Sequence, residues 1–468
     1  VFTLLPFTIM KTSIIVLVLF ICSVSVRAAS GTRAVDRYVD RALGTHGSIA
    51  AARAAYNEAI AGRQAAQAQA LPRLDASGTY LRADGGRTID LPIGDLLNPV
   101  YATLDQLTGR PQFPRLENVR EQLNPDNFYD VKLRLSAPLF NRSIGHAAAI
   151  QDNRARAAEF GIETARRDIT YAVHAAYYRW QQATDAVATY NAALTVTSEQ
   201  ARIAQSLLAN GSGTRLALQR ANTEHESLTD EHTAALQQQS LAAAALNSLA
   251  GLPLDTPIDL DSASEERGLV AIAGNSTAAY DAADAHDRLQ GMTYGSAALQ
   301  AAENLAADHW WPTVSAFVDL GSQGFDFAFN NNTRYVMAGL SFEWNLFAGF
   351  GNEYRTEQAR AARIALDEEK RSVRDALALA DYAAVTRYNA AVARAKAAAK
   401  RIETATTYLT DVLARFRSGS AITIEVIDAN SQLTRARLAA SIARLEASLA
   451  LADVERSRPT DSSPTPKQ

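Results

Sequence analysis

The chain reads as a mainly helical protein that also carries membrane β-strands, built twice from one unit of helix, strand, strand and long helical hairpin. Three observations lead to this. The first is a repeated turn: ARFRSGSAITIEVIDANSQLTRARLAA (414–440) has a faded twin in LLANGSGTRLALQRANTEHESLTDE (207–231), and aligning Gly211 with Gly419 superposes Leu216 on Ile424, Leu218 on Val426 and Ala221 on Ala429. The second is helical patterning without proline from Arg142 to Ala209. At 1.5 Å per residue such a helix reaches about 100 Å, far longer than a globular core needs. The third is a set of four short segments that alternate apolar and polar residues, the period of a strand lying between two different media.

Composition agrees with long, thin packing. Of 468 residues, 47% are hydrophobic but only 7% aromatic, because alanine supplies much of the apolar total. Small residues let helices approach closely along extended seams. The net charge of -4 gives no basic surplus to point to nucleic acid.

Residues 1–28 read as an export signal. Met10-Lys11 begins a short basic region, Ile14 to Val24 is apolar, and Val26-Arg27-Ala28 offers a small-residue cleavage site. The apolar run is shorter than the roughly 20 residues of a spanning helix. Cys22, the only cysteine, falls inside this segment, so thiolate chemistry and thiolate metal sites are excluded from the rest of the chain.

The first repeat is expected over 29–253. Helical patterns over 35–43 and 48–70 end at Pro72, and strands follow at about 74–82 and 131–139. In the second strand Val131, Leu133, Leu135, Ala137 and Leu139 oppose Lys132, Arg134 and Ser136. The stretch from Ala83 to Asp130, rich in Gly, Pro, Asn and Asp, reads as a long loop. The helical hairpin then turns at 210–214 and ends at Gly251-Leu252-Pro253. An acidic, irregular connector is expected over 254–290.

The second repeat, 291–457, has a helix ending at Pro312, strands at about 313–321 and 335–346, and a hairpin turning at 418–421. The fourth strand's apolar face runs Val336, Ala338, Leu340, Phe342, Trp344 and Leu346. Beside the second turn, Ile402, Leu409, Val412 and Phe416 going in, and Leu438, Ile442, Leu445 and Leu449 coming out, fall at coiled-coil spacing. The tail, 458–468, has the composition of a disordered segment.

A sheet with one lipid face must close, since an open edge leaves backbone groups unpaired in hydrocarbon. Spanning barrels begin at about eight strands, so four per chain require at least two copies. No catalytic constellation or cofactor motif is present; Gly211-Ser212-Gly213-Thr214 lacks the lysine of a phosphate loop. His225 and His232 fit a solvated helix face better than a metal site. Trp310, Trp311 and Trp344 suit either an interfacial aromatic belt or core packing. Glu425 and Asp428, three apart, share a helix face just after the second turn.

In its order of elements the chain resembles the TolC family of outer-membrane efflux proteins. LPRLDASG and APLFNRSIG in the first half, WWPTVSAF and LSFEWNLFAGFG in the second, both glycine turns, and LNSLAGLP carry the likeness. The resemblance implies a homotrimer with a 12-stranded β-barrel continued by an α-helical periplasmic barrel, docked to a periplasmic adaptor and an inner-membrane transporter. It implies an acidic ring at the periplasmic entrance from Glu425 and Asp428, and adaptor-docking turns at Asn210, Gly211, Gly213, Ser418 and Gly419. The family's entrance latch is altered: Phe416 stands at its tyrosine position, Ala421 at its arginine position, and Leu216 and Ala217 at the partner positions. Arg215 or Arg220 pairing with Glu425 or Asp428 is the expected replacement. The function so implied is an outer-membrane exit duct for efflux or type I secretion; a periplasmic coiled-coil adaptor without a pore is the alternative.

Overall fold

A computed structural model describes residues 34–124, 126–259, 270–325 and 327–458. The export signal expected at 1–28 and nearly all of the expected tail lie outside the described residues.

The first half runs α1 (Ala34–Thr45), α2 (Gly47–Ala68), β1 (Arg73–Leu81), β2 (Thr88–Leu91), α3 (Ile93–Thr108), β3 (Val119–Gln122), β4 (Phe128–Phe140), α4 (Arg142–Ala209) and α5 (Arg215–Leu249). The second half runs α6 (Ser276–Asp284), α7 (Asp287–Ala307), a short 3-10 turn (Asp308–Trp310), β5 (Thr313–Phe325), β6 (Arg334–Glu343), α8 (Gly351–Arg417) and α9 (Thr423–Ser457). The duplication is close in length. Helices α4 and α8 have 68 and 67 residues, while α5 and α9 have 35 each.

Three expectations need correction. The stretch after β1 is not a plain loop: β2 and β3 form an antiparallel ribbon, with α3 between them. The connector is partly helical, because Asn275 caps α6 by accepting from Ala278 N at 2.8 Å. The fourth strand stops at Glu343, short of Trp344 and Leu346. Its neighbour β5 begins at Thr313, opposite Glu343, and Pro312 before it has no N–H to continue the ladder.

The main sheet is antiparallel in the order β1-β4-β5-β6. Strands β1 and β6 have no further neighbour among the described residues. All the long helices leave the sheet at one end, and the β2–α3–β3 insert and the loop after β5 sit at the other.

The helices pack in sequence along their length. Partway along, α1, α2, α4 and α5 bury Val35, Tyr38, Ile49, Val173, Tyr177, Trp180 and Leu246 in one core. Close to the second turn, Ala405, Leu409 and Val412 of α8 pack on Val426, Ala429, Leu433 and Ala436 of α9, with Ile402 and Phe416 at the margin. The outgoing side of that seam therefore lies nearer the turn than Leu438 and Ile442. Antiparallel arms pair residues equidistant from their turn, which brings Leu409 level with Leu433 rather than with Leu445. Ile442 is exposed.

Candidate functional site

The sheet has two chemically different faces, because successive side chains point to opposite sides. On one face Leu74, Leu133, Leu135, Leu320, Val336, Leu340 and Phe342 are all exposed. Leu135 pairs with Val318 and Leu133 with Leu320, so the apolar rows run across strands. On the other face Arg134 donates to Asp319 from Nε at 2.7 Å and Nη2 at 2.6 Å. The Asp319 side chain is fully buried. Lys132 donates to Asp130 at 3.1 Å, and the Tyr335 hydroxyl donates to the same carboxylate at 2.9 Å. An apolar, exposed face backed by an ion-paired one is what a wall between lipid and water requires.

Aromatic residues mark both ends of this wall. At the helix end Trp310, Trp311 and Trp344 are all exposed, so none is packed into a core among the described residues. Arg142 lies over the Trp311 ring at 4.6 Å. At the far end Tyr129 is buried beneath Phe327 and Phe329, with ring centroids 5.6 and 4.5 Å away. Tyr80 stacks on Phe327 at 5.1 Å. Phe327 has φ of 53°, unfavourable for a bulky residue, and these rings hold it there. Sequence reasoning missed this second cluster, since its members come from three separate segments. The 13 residues of β5 cover about 43 Å along the strand, or about 33 Å at a 40° tilt, which matches a bilayer.

The helix tips form the other candidate site. Gly211 and Gly419 both have positive φ, 69° and 74°. Each closes its helix the same way: Ser212 N donates to Leu207 O at 2.9 Å, and Ser420 N to Arg415 O at 2.8 Å. Gly213 is needed for another reason, because a Cβ there would sit 2.8 Å from Leu208 N. The start of the next helix differs between halves. Thr214 accepts from Ala217 N at 3.2 Å, whereas Ile422 has no such oxygen, and Glu425 reaches back to accept from Ile422 N at 3.2 Å.

Glu425 thus has a structural task that its spacing from Asp428 did not reveal. Its other oxygen lies 3.5 Å from Arg415 Nη2. Arg415 lies in the last turn of the incoming helix, directly across the turn, while Arg215 and Arg220 lie at the start of the outgoing helix of the other hairpin. Asp428 accepts from Gln432 Nε2 at 2.7 Å. Arg220 lines an apolar groove of about 1070 Å³ between the two turns, with Leu207, Leu216, Ala217, Phe416, Ile422, Ile424 and Ile427. Ile427 also packs on Ala204 and Ala221, which ties the hairpins together. Asn210 and Ser418 sit at the two helix ends beside the groove. His225 Nδ1 is 3.1 Å from Thr197 Oγ1, and no cluster of metal-binding side chains forms among the described residues.

The sequence profile of the Outer membrane efflux protein family matches residues 38–252 and 278–457. The chain belongs to that family.

Solved structures of outer-membrane proteins share the fold. The outer membrane protein VceC from Vibrio cholerae superposes with a TM-score of 0.70 at 18% identity, covering 90% of this chain and 95% of that one. The open state of the MtrE outer membrane channel of Neisseria gonorrhoeae gives 0.71 at 16% identity over 92% of each chain. The outer-membrane channel OprN gives 0.72 at 17% identity, over 91% and 89%. No curated protein matches the sequence. Among the described residues no helix is long and apolar enough to cross a membrane.

Proposed function

We propose that three copies of the chain close a 12-stranded barrel in the outer membrane, continued into the periplasm by their helical hairpins, and that the assembly is a passive exit duct. The observation that carries this reading is the main sheet: one face exposed and apolar, the other ion-paired, and both edges without a neighbour among the described residues. Such a sheet is stable in hydrocarbon only when further copies complete it. A soluble coiled-coil adaptor has no use for that face.

In this reading Trp310, Trp311 and Trp344 lie at the periplasmic headgroup level. Glu425 and Asp428 contribute acidic rings that favour cations at the narrow entrance. The turns around Asn210, Gly211, Gly213, Ser418 and Gly419, with the apolar groove between them, receive a periplasmic adaptor. That adaptor couples the duct to an inner-membrane transporter of an efflux or type I secretion system. The transporter supplies the energy, because this chain carries no nucleotide or other cofactor motif.

The test is fractionation and conductance of the purified protein. It should sediment with the outer membrane, run as a heat-labile oligomer and conduct ions in a planar bilayer. A stable monomer that needs no detergent and conducts nothing would overturn the reading.

A further inference from the structure

The insert at the sheet's far end is built so that one side of α3 is anchored and the other is bare. Asn98 Nδ2 donates to Leu116 O at 2.8 Å, and Leu116 N donates back to Asn98 Oδ1 at 2.8 Å. Asp105 accepts from Gln112 N at 2.7 Å, and Gly94 abuts Leu116 so closely that no side chain would fit. At 100° per residue Gly94, Asn98 and Asp105 fall on one face of the helix. Leu96, Val100 and Leu107 fall on the opposite face, 68%, 50% and 79% exposed. No helix or strand outside the insert packs substantially on α3. Among the described residues, the helix is thus fixed with an apolar stripe that no other element covers.

We infer that the stripe Leu96–Val100–Leu107 docks on the adjoining copy of the same chain, so that the inserts clasp neighbouring subunits together above the barrel. Two observations select this occupant. The insert grows out of β1, an edge strand with an unpaired side, and closing the barrel brings the neighbouring copy against that edge. The helix also carries Asp95 and Asp105 and no lysine or arginine, whereas helices that lie on anionic lipid surfaces have basic polar faces. The inference rests on the oligomeric barrel proposed above.

The test uses photo-crosslinking in the full chain, with Cys22→Ser removing the only native cysteine. Val100→Cys is labelled with benzophenone maleimide, and Thr79→Cys on β1 serves as the reference for the barrel seam. Both proteins are irradiated in outer-membrane vesicles. The expected result is a shift of the Val100→Cys protein from monomer to multiples of the chain's own mass, absent for Gln106→Cys on the flank of α3. Crosslinking at Thr79→Cys without any at Val100→Cys would overturn the clasp and leave the barrel standing. Adducts of Val100→Cys with lipid or another protein only would also overturn it. Failure at both positions would instead remove the oligomeric reading beneath it.

Discussion

Arg415 Nη2 stands 3.5 Å from Glu425 Oε2 across the second turn, while Glu425 Oε1 accepts from Ile422 N at 3.2 Å. One carboxylate thus both begins α9 and faces the last turn of α8. Replacing Glu425 with Gln should keep the helix start and lose the charge, lowering cation preference in a planar bilayer with little change in melting temperature. Glu425→Ala should lose both, with a cost of about 1 kcal/mol per chain for the missing cap. Arg415→Glu should alter conductance more than Arg215→Glu or Arg220→Glu, since Arg415 is the one of the three that faces Glu425 across its own turn.

Breaking the pair on the sheet's polar face should be more damaging. Arg134→Met would leave the carboxylate of Asp319 without its two donors and lower the stability of the sheet. Arg134→Lys keeps the charge and loses the fork, so it should fall between. Adding Asp319→Leu to Arg134→Met should recover most of the loss. The temperature at which the detergent-solubilised oligomer dissociates measures all three.

Acid should loosen the start of α7. His286 caps it by accepting from Arg288 N at 3.2 Å, which requires a neutral ring. Burial, then the neighbouring Arg167, holds its pKa below the usual histidine value, against the opposing pull of Asp287 and with smaller help from Arg288 and Arg456. A base with a lowered folded pKa takes up protons more readily when unfolded. Its contribution is therefore complete above the ordinary histidine range and is lost as pH falls through the lowered value. Thermal melts at pH 7.5 and 5.5 should show a drop that His286→Asn, which keeps an acceptor but does not titrate, makes smaller.

What the sequence disclosed follows from how local each signal is. The alternation from Val131 to Leu139 announces β4 because neighbouring side chains point to opposite faces of the sheet in turn. The alternation outruns strand β6, because Trp344 and Leu346 keep it after the ladder has ended; the pairing of Thr313 with Glu343 marks the stop. Helix α3 was hidden by Gly94, Pro99 and its loop-like surroundings, although Leu96, Val100, Leu104 and Leu107 keep helical spacing. Arg134 and Asp319 lie 185 residues apart, so their meeting depends on a strand register that no local pattern encodes. Glu425 was singled out for its charge, yet its capping role was readable from Ile422, an N-cap residue with no acceptor of its own.

The matched spans of 68 and 67 residues, and of 35 and 35, act as a pair of rulers laid side by side. Any change to the reach of the hairpins has to be made twice in one gene. A single added heptad in one of them would push its tip about 10 Å past its twin. Compensated insertions at equivalent points of both halves would lengthen the pair and keep the two tips level.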